Sequence, residues 1–594
     1  MCQVQAAAGV IQTYVFEYTN FRAMDQWIGV LKVLLEQVTV FENAEAELRA
    51  RSALLVALSY RKPDDPALDA CTDRVFELVQ IGGNINLRTL ATAYLVAYGT
   101  RTGPLEVARK AAPLLEQLIG HPDVTPMSAG LGWFMISFYE LVAGDEKKSR
   151  AAVSEVERIG RDDGLPAVSR FAAIIGAHVE FGVGNAESAR RWSNRLNETE
   201  KSGRPYNEAI AESIKAWVAA FDGDPAGAYV SAKRAVDSFD EAGTRFLRCI
   251  SRIQLALSLT VLRDFAGAQR WISEARNLAD TSRSIWLRAE VHFSEAFLGL
   301  EEGNRTSVPE HLKRGFELLR ISGCDWPLRF IRLWAPRLCA EALELGIEPG
   351  YVKVLIRRLA LMAPSTQVDQ WPWRVRIYTL GHFTIVLDDK VLSFSHKVPR
   401  KPIALLKTII AFGGEDVPET KLMDALWPDE DGAAAREACK IALHRLRKLL
   451  GNPNTVQVEN GRVGVNSREV WIDANAFEQA VDTGADSGRI ERLYQGQFLP
   501  EEREAPWALS PRERLRGKFI RHVEQEGVRL EQAGDVDAAA MLYQRGIDAD
   551  EMDRVTSGHG VARAPVVADR EQEDRPRRAR GVVGVRGLGD REPT

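Results

Sequence analysis

Five basic side chains, Arg436, Lys440, His444, Arg447 and Lys448, recur at helical spacing within residues 433–450. At about 100° per residue they share one arc, while Ala435, Cys439, Ala442, Leu443, Leu446 and Leu450 fall on the adjoining one. Such a helix can pack through its apolar arc and offer cations to phosphate oxygens or to guanine O6 and N7 in a major groove. A basic face is also what a merely solvated helix shows, so the elements around it have to carry the distinction.

Those elements follow one another over 374–466. Val375, Ile377, Phe383, Ile385 and Leu387 alternate with polar residues as short one-sided strands do, with Asp388-Asp389 as a turn. A helix is predicted over 400–412, with Ile403, Leu405, Leu406, Ile409 and Ile410 inward and Gly413-Gly414 ending it. A second runs over 419–427 and stops at Pro428-Asp429, and the basic helix then closes at Gly451-Asn452-Pro453. Asn460-Gly461 between two valine-rich runs is a strong hairpin signal. A two-residue turn there pairs Glu459 with Arg462 and Val458 with Val463, and puts Arg462 beside the tip. Strands, three helices and a hairpin in this order predict a winged helix-turn-helix. Trp427 reads as a core anchor, His444 as a surface or phosphate-contacting residue, and Arg445, outside both arcs, as a partner for Glu437 or Asp424.

The chain has 594 residues, 45% hydrophobic and 27% charged, with a net charge of −5. That length calls for two to four domains, and the negative total excludes a protein that coats nucleic acid along its whole surface. Six scattered cysteines, with no C-x-x-C pair and no histidine at metal-ligand spacing, read as reduced and mostly buried thiols. Residues 1–16 lack a basic segment followed by an apolar run, and no stretch is long and apolar enough to span a bilayer, so no membrane partner and a cytoplasmic location are expected.

Before residue 370 the pattern is helical. Gly103, Gly144, Gly184, Gly223, Asp264 and Gly303 stand at gaps of roughly 39 to 41 residues, each between two amphipathic stretches, which is an internal repeat. Single hairpins cannot bury their apolar stripes alone, so a right-handed solenoid of paired helices is expected, as effector sensor or as passive spacer. The repeat resembles the tetratricopeptide class.

A second resemblance rests on separate motifs: Tyr378-Thr379-Leu380-Gly381-His382-Phe383, Arg400-Lys401-Pro402 with Ala404-Leu405-Leu406, Asp424-Ala425-Leu426-Trp427-Pro428-Asp429, and Leu443-His444-Arg445-Leu446-Arg447-Lys448-Leu449-Leu450-Gly451. Over 374–549 the chain resembles the bacterial transcriptional activator domain family, which includes the Streptomyces antibiotic regulatory proteins and whose winged helix is of the response-regulator type. The resemblance implies groove-facing roles for Arg436, Lys440, His444 and Arg447, and phosphate contacts for Arg400, Lys401 and Lys448. Arg462 would reach a minor groove or the backbone from the hairpin. It further implies promoter DNA, often at direct repeats, as the ligand, RNA polymerase as a partner of an activator, and an all-helical domain after the hairpin.

The expected division is therefore a tetratricopeptide-like α-solenoid over 1–370, an α+β winged helix-turn-helix over 371–468, a partial helical repeat domain over 469–551 and a disordered tail over 552–594. In the tail the composition turns to Arg, Gly, Val, Asp and Pro, which cannot bury a core. It reads either as a basic arm or as a departure from the family by truncation or a shifted reading frame. No phosphate-binding loop is found, since Gly517-Lys518 is followed by Phe519, and neither H-E-x-x-H nor G-x-S-x-G occurs. Carboxylates are assigned to solvent faces, and neither an enzyme, a metal nor a cofactor is expected. The leading expectation is a DNA-binding transcriptional regulator. The alternative is an interaction scaffold whose winged helix docks a protein.

Overall fold

The computed structural model describes residues 1–17, 20–199, 204–393 and 399–557. Up to residue 358 these are helices in antiparallel pairs. Pro126–Ala143 packs on Glu146–Asp162, Pro166–Val183 on Ala186–Thr199, Pro205–Phe221 on Pro225–Ala242, Arg245–Val261 on Phe265–Asp280, and Ile285–Glu302 on Val308–Ser322. The chain therefore contains a tetratricopeptide-like helical repeat.

The turns explain the period. Gly144, Gly184, Gly223 and Gly303 hold φ between 73° and 91°, the left-handed region that ends a helix without a Cβ penalty. The following Asp145, Asn185 or Asp224 caps the next helix, its side-chain oxygen accepting from Lys148 N, Ser188 N or Gly227 N. In the turn before Phe265–Asp280 the left-handed residue is Arg263, at φ 65°, and Asp264 caps.

The repeats coil back on themselves. Arg283 N donates to Thr102 O (2.9 Å), Trp286 Nε1 to Thr100 O (3.1 Å), Arg245 pairs with Asp64 (3.0 Å), and Arg332 reaches Gly182 O (3.1 Å). Later hairpins thus seat against earlier ones some 150 to 186 residues away, and the inner helices enclose space between them.

Carboxylates are not confined to solvent faces. Asp325 is 1% exposed and pairs with Arg329 at 2.8 Å, and Asp473 is buried among backbone donors. Glu290 is fully buried, and neither carboxylate oxygen has a hydrogen-bond partner among the described residues. Removal from water pushes its pKa well above the ordinary carboxylate range. The unfolded chain releases the carboxyl proton once the pH passes the ordinary value, whereas the folded chain keeps it to a higher pH. Glu290 therefore makes stability fall as pH rises between the two values. Glu290→Met should melt higher than the parent, and its advantage should grow by up to about 1.4 kcal/mol between about pH 5 and about pH 6. Parallel melts at the two pH values check this, and an advantage independent of pH would refute it.

Beyond the repeats, β1 (Val375–Tyr378), β2 (Thr384–Leu387) and β3 (Lys390–Val391) form an antiparallel meander in which Asp388 and Asp389 both take positive φ. The helices Arg400–Ala411, Glu419–Leu426 and Gly432–Leu449 follow. A second sheet contains β4 (Val417–Pro418), β5 (Val456–Glu459) and β6 (Arg462–Val465), in the order β4-β6-β5. The Asn460-Gly461 hairpin has the register Val458↔Val463 and Glu459↔Arg462. Val456, Val463 and Val465 are buried, but Val458, near the tip, is exposed.

β7 (Val470–Ile472) runs parallel to β1, giving the order β3-β2-β1-β7. A boundary at 468 therefore falls inside the unit that this sheet joins. Gly381 shows why its motif needs glycine: φ is 86°, and a Cβ would lie 2.7 Å from Gln495 O. The helices Asp473–Asp482, Ser487–Leu493, Pro506–Gln532 and Val536–Ser557 complete the described chain. The last extends past 551, where the tail was expected to begin, because Ala549 to Ser557 contains no helix breaker and the first glycine is Gly558. The rest of the expected tail, 558–594, lies outside the described residues. No helix among the described residues is long and apolar enough to cross a membrane.

Candidate nucleic-acid interface

The basic helix Gly432–Leu449 is anchored by Ala435, Cys439, Ala442, Leu443 and Leu446, all buried, against Arg400–Ala411 and Glu419–Leu426. Asp431 caps it, accepting from Ala433 N (3.0 Å) and Ala434 N (2.8 Å). Its outer side carries Arg436, Lys440, His444, Arg445 and Lys448, all exposed, with Glu437 and Ile441 between them. None of the five basic groups makes a hydrogen bond or ion pair among the described residues, and the pairing of Arg445 with Glu437 or Asp424 is not formed. Elsewhere the chain neutralises comparable side chains: Arg74, Arg150 and Arg195 are paired with Glu47, Glu180 and Glu157. Holding unpaired cations together on a rigid face costs repulsion, and an anionic partner would relieve it.

Other residues of the expected site are already engaged. Arg447 is half-buried, and its Nε donates to Val456 O at 2.8 Å, fastening the basic helix to β5. Lys401 donates to Leu426 O (2.8 Å) and lies 5.1 Å from the ring centroid of buried Trp427. Arg462 binds both the carbonyl and the carboxylate of Asp416, each at 2.9 Å. Arg400, at the start of its helix, is exposed and without a partner among the described residues. The structure thus brings Arg436, Lys440, His444 and Lys448 onto one face, adds Arg445 to it, and gives Arg447, Lys401 and Arg462 internal partners.

Charge varies along this face. Asp429, Glu430 and Asp431 are exposed at the N-terminal end of the helix, whereas Arg445 and Lys448 lie in its last two turns. Phosphates are favoured toward the C-terminal half. Beside the hairpin, a cavity is lined by Glu415, Asp416, Glu459 and Glu469 together with Arg462 and Arg468, so carboxylates outnumber cations there.

A different kind of site lies inside the repeats. A cavity of about 240 Å³ is walled by Phe134, Phe138, Phe171, Ile174, Trp326 and Phe330, with Arg101, Arg170, Arg204 and His178 at its margin. His178 Nδ1–H donates to Ile174 O at 2.7 Å, which leaves Nε2 as an acceptor. Burial holds this imidazole below its ordinary pKa and so neutral. Nothing in the local sequence marks this cavity, because its lining runs from Phe16 to Phe330, on helices about 300 residues apart. One group of metal-ligating type also occurs among the described residues, His292, Glu295 and His311, within the repeats and apart from the basic face.

No family model matches the chain, so its resemblance to the activator family rests on the motifs alone. No curated protein matches it either. Among solved structures, a Rap protein complexed with competence and sporulation factor is similar at 15% identity and a TM-score of 0.42, covering 60% of this chain and 97% of that one. The apo form of RapI is similar at 15% identity and a TM-score of 0.34, covering 60% and 96%.

Proposed function

We propose that residues 371–468, with β7 and the helices after it, form a winged helix-turn-helix that binds double-stranded DNA, and that the protein is a non-enzymatic transcriptional regulator controlled through its helical repeats. The observation that carries this reading is the row of five exposed basic groups, unpaired among the described residues, on Gly432–Leu449, on a helix held by two others and followed by an Asn-Gly hairpin. Arg436, Lys440 and His444 are spaced i, i+4, i+8 along one edge, so a groove that received this helix could be met by all three. Lys448 and Arg445 would meet phosphates toward the C-terminal end, and Arg400 the flanking backbone. Arg447 acts in this reading as a positioning residue that sets the hairpin against the helix.

The interior cavity supports a sensing role for the repeats. Its aromatic walls and marginal arginines suit a small ligand with an apolar body and an acidic end; a dry cavity of about 150 Å³ already holds a benzene ring.

One observation favours a second reading. Ile441 is 45% exposed in the middle of the basic face. On DNA it would touch a thymine methyl; as a protein-docking helix, the same face would centre on it.

The test is selection by the full chain from a pool of random-sequence DNA duplexes, followed by affinity measurements over a range of salt. Enrichment of a common motif, with log K falling linearly in log salt at about 0.9 per phosphate contact, is expected. A chain that retains no duplex at low salt is not a DNA-binding protein, and the docking reading then stands.

A further inference from the structure

We propose that His292, Glu295 and His311 bind a divalent transition-metal ion of the zinc class, clamping the helices Ile285–Glu302 and Val308–Ser322 together. The site is independent of the DNA-binding reading. His292 and Glu295 lie one turn apart on the first helix, and His311 faces them from the second.

The three donor atoms converge. His292 Nδ1 and His311 Nδ1 are 3.1 Å apart, His311 Nδ1 and Glu295 Oε2 are 3.1 Å apart, and His292 Nδ1 and Glu295 Oε2 are 3.7 Å apart. Ligands about 2.0–2.1 Å from a tetrahedral ion are separated by about 3.3 Å, so this triangle has the dimensions of one face of a coordination shell. Two imidazoles and a carboxylate are also a donor set that suits zinc and its neighbours.

Hydrogen bonding alone leaves the cluster incomplete. A proton on one Nδ1 can serve the other imidazole, but Glu295 Oε2 still has no hydrogen-bond partner, although Glu295 is only 9% exposed. A cation between the three atoms satisfies all of them. The other carboxylate oxygen, Oε1, pairs with Arg276, which fixes the orientation of Oε2 as outer-shell groups do around metal ligands.

The scaffold is rigid enough to hold the geometry. Gly315 allows its helix to close on Phe293, and the Phe293 and Phe316 rings meet edge to face at 5.0 Å. The two histidines remain about one-fifth exposed, which gives an ion a way in. With three protein ligands, one position stays open. Arg276, Arg288 and Arg314 line the adjoining cavity with His292 and Asp280, so its charge favours a hydroxide or another anion as the fourth ligand.

The experiment uses the full chain, stripped with a chelator, dialysed and titrated with Co²⁺ and then Zn²⁺. One Co²⁺ per chain should give visible d–d absorption without thiolate charge transfer. Zn²⁺ should displace it and raise the melting temperature. His311→Asn and Glu295→Gln, checked by circular dichroism and by metal-free melting, should each lose affinity by more than the roughly 10–100-fold typical of an outer-shell change. The proposal is overturned if Co²⁺ is not retained, if thiolate charge transfer shows that cysteines take the metal, or if both folded variants bind as the parent does.

Discussion

Arg436→Ala combined with Lys440→Ala should weaken DNA binding by the full chain about 100-fold or more at moderate salt, since each lost contact to a base or phosphate is worth about 1–3 kcal/mol. Both side chains are exposed and unpartnered among the described residues, so truncation removes no internal contact and the melting temperature should not move. Where both residues touch phosphate, the slope of log K against log salt should become shallower by about 1.8, twice the 0.9 of a single contact. Arg447→Ala makes the contrasting case. It breaks the bond to Val456 O that fastens the basic helix to the hairpin, so it should lower stability and affinity together. Affinity and salt slope unchanged in the double variant would show that this face does not meet DNA.

The features legible in the sequence were those set by local rules. The left-handed glycine followed by a capping Asp or Asn repeats at a fixed interval, and Asn460-Gly461 fixes the hairpin register; both depend on a few adjacent residues. The amphipathic patterns located the three helices of the DNA-binding candidate to within a residue or two. What the pattern does not encode is what each outward cation meets. A helical wheel places Arg447 beside Lys440, but only the approach of β5 turns its guanidinium inward, and only the neighbouring Trp427 and Asp416 occupy Lys401 and Arg462.

Longer-range features were hidden for the same reason. β4 is two residues long and exists because β6 pairs with it, and β7 belongs beside β1, almost a hundred residues earlier. The turn at Arg263 lacks the glycine that marks its equivalents, and the interior cavity depends on the superhelix closing. His292 and Glu295 stand three residues apart in the sequence, but His311 joins them only through the register of two packed helices.

Asp473→Ala should destabilise the part of the chain that follows the repeats by about 3–5 kcal/mol, the range for leaving several buried donors or a buried charge partner unpaired. The Asp473 carboxylate is 3% exposed and sits where β7 enters its helix. It accepts from Thr379 N (2.8 Å), Thr379 Oγ1 (2.6 Å), Leu380 N (2.9 Å) and Ala474 N (2.7 Å). Thr379 and Leu380 leave the end of β1 here, and Leu499 N donates to Thr379 O at 2.8 Å, so one side chain ties the first sheet to the segments that follow the hairpin. Alanine leaves the Thr379, Leu380 and Ala474 amides without this acceptor. Asparagine, with one oxygen and a donor that faces other donors, should fall between parent and alanine. Hydrogen exchange at Thr379, Leu380 and Ala474 measures the local loss directly, which matters because a chain of several units need not unfold in one step. DNA affinity should fall only in parallel with that loss of order, unlike the Arg436 and Lys440 variant, which separates binding from stability. Exchange rates at these three amides that match the parent's would mean that Asp473 does not hold the junction.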